Sequence, residues 1–159
     1  MSVTPQEAWE VYRNADCLYT AQQVERAMDE MAAAITGRLR EADPLVLCVM
    51  NGALVPGGHL LTRLDFPLEL DYVHATRYRG GTRGGELQWL VRPREPVEGR
   101  SLLVLDDIFD EGITLEAIVA EVQRAGAAEV LSATFIDKLH ARKPAAFRPD
   151  FVALEVDDR

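Results

Sequence analysis

Asp106 and Asp107 stand side by side, Asp110 follows three residues later, and Gly112 and Thr114 come next, all within the stretch LLVLDDIFDEGITL from Leu102 to Leu115. Adjacent carboxylates suit sugar hydroxyls or a hard cation such as Mg²⁺, which takes oxygen ligands. Ahead of them, Leu102, Leu103, Val104 and Leu105 form a continuous apolar run. That is the pattern of a strand covered on both faces. Behind them, Leu115, Ile118, Val119 and Val122 recur at helical spacing up to Gly126. Acids at the carboxyl end of a buried strand, on a loop entering a helix, lie where open α/β sheets bind ligands. The free N–H groups of such a helix start favour an anion, above all a phosphate. A ligand using both features is a sugar phosphate with free hydroxyls. The plainer reading is a strand-to-helix turn rich in capping acids.

The segment resembles the 5-phosphoribosyl-1-pyrophosphate (PRPP) signature of type I phosphoribosyltransferases: an apolar strand, two acids, two apolar residues, then Asp-Thr-Gly-x-Thr. Here the last part reads Asp110-Glu111-Gly112-Ile113-Thr114, so Glu111 stands where the family usually has Thr. The resemblance implies that Asp106 and Asp107 hold the ribose hydroxyls and Mg²⁺. It implies a 5′-phosphate cradle made by Asp110, Glu111, Gly112, Ile113 and Thr114, in which Ile113 contributes its backbone. Asp110 would be the general base near N7 of a purine.

Two more segments fit the same resemblance. LVLCVMNGALVPGG, residues 45–58, is a strand followed by a small-residue loop. The family binds pyrophosphate on such a loop, which implies that role for Asn51 and Gly52. An ordinary turn between strand and helix is the alternative. Lys138 follows the strand Val130–Asp137, in a chain whose only lysines are Lys138 and Lys143. The stretch SATFIDKLHARKP…RPDFVALEV resembles the six-oxopurine branch, the hypoxanthine-guanine phosphoribosyltransferases. There a lysine after this strand donates to the purine O6, and a surface lysine is the alternative. The segment RYRGGTRGG, residues 77–85, is rich in arginine and glycine. Arginine makes fork-shaped contacts with phosphate oxygens, and glycine lets a loop close over a ligand. The resemblance implies a lid carrying Arg77, Tyr78 and Arg79, against the alternative of a solvated hairpin tip.

The elements that must position these residues can be read in order. Pro5–Arg13 fits a short helix. Thr20 with Gln23 forms a capping box, followed by a helical stripe of Val24, Met28, Met31, Ile35 and Leu39 expected in the core. After Pro44, Leu45–Met50 is a candidate buried strand, and Val55–Leu64 returns as a helix. Leu68, Leu70 and Tyr72 alternate with Glu69 and Asp71, which predicts a strand with the acids on its wet face. Glu86–Val91 is the returning strand of a long hairpin, with Trp89 as packing. Glu98-Gly99 is a turn. Val130–Ile136 and Phe151–Leu154 complete the strands. This alternation predicts an α/β fold, a mainly parallel sheet flanked by helices, type I phosphoribosyltransferase-like with a hairpin lid.

Composition is consistent with one domain over residues 1–159. The chain is 48% hydrophobic, and its length suffices to bury roughly 70% of the unfolded surface. There is no apolar run long enough to span a membrane, and the start MSVTPQEAWE lacks the features of a signal peptide. Cys17 and Cys48 are outside any C-x-x-C pattern and read as buried, reduced thiols of a cytoplasmic protein, with a disulfide as the alternative. His59, His74 and His140 have no metal-ligand spacing and read as ordinary helix, strand and surface residues. A net charge of −9 argues against a nucleic-acid partner.

The resemblance runs from the Thr20 helix to Asp158. In the family the chain continues further, into a C-terminal hood with an aromatic residue that stacks on the purine, backbone contacts and an acid for a second Mg²⁺. This sequence ends at Arg159, and the two readings are a protein that lacks the hood and a sequence that has lost its tail. The implied activity is transfer of phosphoribosyl from Mg-PRPP to N9 of hypoxanthine or guanine, giving IMP or GMP and pyrophosphate. The implied assembly is a homodimer or homotetramer, with PRPP and a six-oxopurine as the small-molecule partners. Two alternatives stay open: a non-catalytic PRPP-sensing regulator of the same fold, and a phosphoribosyltransferase for xanthine or a pyrimidine.

Overall fold

Thr20 accepts the Gln23 N–H while the Gln23 side chain takes the Thr20 N–H, so the expected capping box opens the helix Ala21–Leu39. Met28, Met31, Ile35 and Leu39 are buried along one side of it, joined by Ala27 and Ala32. Val24, expected in that stripe, lies at its exposed edge. The computed structural model describes residues 2–77, 86–143 and 146–157, the Arg77 side chain excepted. Its elements are α1 (Pro5–Asn14), α2 (Ala21–Leu39), β1 (Leu45–Val49), α3 (Leu54–Leu61), β2 (Glu69–Arg77), β3 (Leu87–Val91), β4 (Ser101–Phe109), α4 (Ile113–Arg124), β5 (Glu129–Leu139) and β6 (Phe151–Asp157).

The strands form one sheet in the order β3-β2-β1-β4-β5-β6. All neighbours are parallel except β2 and β3, the hairpin that the sequence predicted. The apolar runs of β1 and β4 are buried throughout because helices cover both faces. Val46, Cys48, Leu103 and Leu105 pack with α2 and α3 on one side. Leu45, Leu47, Leu102 and Val104 pack with α4 on the other. Fully burying an aliphatic side chain contributes about 2 kcal/mol, so these two strands anchor the sheet centre. Trp89 packs against the α4-side cluster, as expected.

Three expectations fail. In β2 the faces are inverted from Leu70 onward: Asp71, Val73 and Ala75 are buried while Leu70 and Tyr72 are exposed, although Glu69 is exposed and Leu68 packs against the core as expected. Asp71 can be buried because its carboxylate accepts the N–H groups of Tyr72, Arg94 and Glu95 at 2.8, 2.6 and 3.0 Å. Buried polar groups persist when hydrogen-bonded. Cys17 is exposed, its thiol against the Tyr19 carbonyl, whereas Cys48 is buried and its thiol is pushed up to about 11 by that burial. Both are free. His140 is the third case and belongs to the site below.

Candidate active site

β4 pairs with β5 as far as Phe109, so Asp106 and Asp107 lie within the strand, ahead of Ile108 and Phe109, and not on a loop. The Asp107 N–H donates to Asp106 Oδ1 at 2.9 Å, and the Ile108 N–H to Asp107 Oδ1 at 2.8 Å. Thr134 of β5 donates its hydroxyl to the Asp107 carbonyl at 3.2 Å. Asp106 is pushed up to about 7, first by burial and then by its interaction with Asp107. Two crowded carboxylates of this kind gain from a neutralising partner, a proton or a cation.

Gly112 is the N-cap of α4, with φ +78°, and no side chain caps the helix. Only glycine fits: the backbone is left-handed, and a Cβ there would collide with the Phe109 ring. The first N–H groups of α4, from Ile113 onward, are left to a ligand or to water. Glu111 is exposed beside them. Asp110 does not cap α4, which removes the plain capping reading of that residue. It faces β5 instead.

His140 Nε2 stands 2.6 Å from Asp110 Oδ1, and Lys138 Nζ 3.5 Å from Asp110 Oδ2. The His140 side chain is only 6% exposed, so it is not the surface residue expected from its lack of metal-ligand spacing. The hydrogen bond from His140 foremost, then the charge of Lys138, holds the Asp110 carboxyl below its usual range. No local sequence signal marks this pairing: β5 ends at Leu139, and Asp110 lies thirty residues before His140.

Lys143 was not singled out by sequence either. It pairs with Asp137 while lying 4.7 Å over the Phe109 ring, and its side chain is 4% exposed. This contact ties residues 140–143 to the end of β4 beneath Asp110.

The turn after β1 brings Gly52 against Asp107, with Asn51 next to it in the chain. Asn51 is exposed, and its carbonyl accepts the Leu54 N–H at 3.0 Å as α3 begins. A Cβ on Gly52 would overlap the Asp107 carboxylate. A cavity of about 450 Å³ opens at this junction, with Val24, Met28, Ile108 and Leu154 among its apolar walls. The geometry therefore unites Asn51, Gly52, Asp106, Asp107, Asp110, the α4 start and Lys138 at the carboxyl ends of β1, β4 and β5. Tyr78 and Arg79 lie outside the described residues, and Arg77 closes β2. Among the described residues, no three acidic, histidine or cysteine side chains form a metal-binding group, and no helix is long and apolar enough to cross a membrane.

The phosphoribosyl transferase domain family matches residues 14–158. The hypoxanthine-guanine phosphoribosyltransferase of Bacillus subtilis (strain 168) is 31% identical over 142 residues, which cover 89% of this chain and 78% of that one. The hypoxanthine-guanine-xanthine phosphoribosyltransferase of Tritrichomonas foetus is 30% identical, with the same coverage. A solved hypoxanthine-guanine-xanthine phosphoribosyltransferase superposes with a TM-score of 0.81 at 28% identity, over 91% of this chain and 82% of that one. A hypoxanthine phosphoribosyltransferase from Staphylococcus aureus has the same fold, with a TM-score of 0.85 at 24% identity over 93% of this chain and 82% of that one.

Proposed function

This chain belongs to the phosphoribosyl transferase domain family, and we propose that it transfers the phosphoribosyl group from Mg-PRPP to N9 of hypoxanthine or guanine. The products are IMP or GMP and pyrophosphate, a purine-salvage reaction. The observation that carries this reading is the position of Asp110. It lies between the uncapped start of α4 and Lys138, so one carboxylate adjoins both a phosphate cradle and a cation suited to a carbonyl oxygen.

In this reading Asp106 and Asp107 hold the ribose hydroxyls and the metal. The residues fit Mg²⁺: it commonly binds through one or two carboxylates and completes its shell with substrate oxygens and water. A crowded pair with one member driven towards neutrality is such a donor set. Bound there, the ion supplies positive charge that offsets the charge of the leaving pyrophosphate. The backbone of Asp110, Glu111, Gly112, Ile113 and Thr114 receives the 5′-phosphate, aided by the helix dipole. Asn51 and Gly52 receive pyrophosphate, and Arg77, Tyr78 and Arg79 close over it.

Lys138 donates to O6, and Asp110 accepts the purine proton near N7. These two roles are linked. While Lys138 faces Asp110 its charge stabilises the carboxylate and weakens it as a base. When Lys138 turns to O6, that stabilisation falls and the base strengthens as the proton must move. An amino group at the purine six-position would meet Lys138 donor to donor, and mismatches of this kind discriminate by about 10⁴.

The test is incubation with Mg²⁺, PRPP and each base. Nucleotide should form from hypoxanthine or guanine, with adenine far slower. PRPP binding without nucleotide from any base refutes the transferase and leaves a PRPP sensor. Assembly as a homodimer or homotetramer belongs to the same reading and is tested by native mass, and a cytoplasmic setting by fractionation.

A further inference from the structure

His140 contacts Asp110 from a buried position, yet the reading above gives it no task. Its ring has two distinct partners. Nδ1 accepts the Arg142 N–H at 3.2 Å, and Nε2 lies 2.6 Å from Asp110 Oδ1. An imidazole whose Nδ1 accepts carries its hydrogen on Nε2. The backbone of Arg142 thus selects the tautomer that donates to Asp110, and a donor to an ionised acceptor makes a short, strong bond.

The two carboxylate oxygens are therefore unlike. Oδ1 is held at 2.6 Å by a side chain that is 6% exposed. Oδ2 meets Lys138 at 3.5 Å, a side chain 34% exposed. A lysine on a four-carbon stem can be exchanged for a ligand, whereas a buried ring fixed at both nitrogens cannot move without breaking both bonds. We propose that His140 is the positioning residue of Asp110: it anchors Oδ1 permanently and so presents Oδ2 to Lys138 and then to the purine. The inference deepens the reading of Asp110 as proton acceptor and rests on it.

Other charges also face this carboxylate. Lys138 approaches from β5. Lys143 senses Asp110 from the segment after β5, with Arg148 and Glu155 acting on Lys143 in turn. Glu111 is the neighbour on Asp110's own loop and is exposed. The bond from His140 is nonetheless the first cause of the lowered Asp110 carboxyl. Its loss should raise that carboxyl even with Lys138 and Lys143 in place.

The experiment compares His140→Phe, which keeps a ring without a donor, with His140→Gln, which offers an amide N–H at similar reach. Expected for His140→Phe is a kcat lower by roughly 10- to 10²-fold, as for a misplaced catalytic group, with the KM for PRPP little changed. The acid limb of its pH–rate profile should move to higher pH. His140→Gln should recover most of the loss. Adding His140→Phe to Asp110→Asn should cost nothing further, because both act on one group. Unaltered kcat and acid limb in His140→Phe overturn the inference, as does an equal loss in both His140 variants with a lowered Tm, which marks packing alone. If Asp110→Asn itself turns over normally, the base assignment fails and this inference with it. If Asp110→Asn is impaired while His140→Phe is not, only the inference fails.

Discussion

The Asp107 carboxylate rests against the bare Cα of Gly52, in the space a side chain there would fill. The turn after β1 and the end of β4 are thus fitted to one another through an absence. Gly52→Ala forces one of them to move. Asp107 is the part that can yield, by giving up its bond from the Ile108 N–H. The substitution should leave Tm within a few degrees while lowering kcat/KM for PRPP by about 10²-fold, the cost of a binding group displaced by roughly 1 Å. Kinetics and a thermal melt on the same preparation check this. Unchanged kcat/KM would show that Asp107 need not stay where it is.

Asp71 should matter for stability and not for turnover. Its carboxylate accepts three backbone N–H groups that join β2 to residues 94 and 95. Each buried donor left without a partner costs about 1–3 kcal/mol. Asp71→Ala should therefore lower the unfolding free energy by roughly 3 kcal/mol, or Tm by about 6–12 °C. Urea unfolding measures it, and a midpoint equal to wild type removes Asp71 from the core's support.

Asp71 also shows where the sequence stops being legible. Alternation in residues 68–72 gave a strand correctly, but a period of two defines two faces without saying which is buried. Leu70 and Tyr72 read as inward on hydrophobicity. The acceptor role of Asp71 depends on residues 94 and 95, over twenty positions away, and local pattern does not carry that information. The strands β1 and β4 were legible because both their faces are covered, so no choice of face arose. The placement of the signature acids and Gly112 on one strand–loop–helix unit was legible from type and spacing, whereas the roles given to them and to Lys138 rest on the family resemblance. His140 was missed for the reason Asp71 was: its partner, Asp110, lies thirty residues earlier.

Asp106 gives a pH dependence whose sign can be worked out. Its carboxyl is raised in the fold from an ordinary value to about 7, so the folded state holds a proton that the unfolded chain releases. That contribution is complete below the unfolded value of about 3.9 and is lost as pH rises through about 7. Asp106→Asn keeps the acceptor for the Asp107 N–H and removes the charge. It should raise Tm by about 4 °C or more at pH 8 and change it little at pH 4. Mg²⁺ should stabilise the wild type at pH 8 more than the variant. Equal Tm for both proteins at pH 8 would mean that the Asp106 charge is not under strain.

The decisive substitution is Asp110→Asn. Asn keeps the shape, and its side-chain oxygen can still accept from His140 Nε2, but it cannot take a proton. A positioned general base contributes typically 10² to 10⁴ in rate, so kcat should fall by about 10² or more. The KM for PRPP should change little, since the proposed phosphate cradle is the backbone at the start of α4 and not the Asp110 side chain. Stability should hardly respond. Gly112, not Asp110, is the N-cap of α4, and the half-exposed contact with Lys138 is of a kind worth about 0–1 kcal/mol. A large kcat loss at unchanged Tm and PRPP affinity is the signature of a base. A kcat within a few-fold of wild type would leave Asp110 as a partner of His140 and Lys138 without a part in proton transfer.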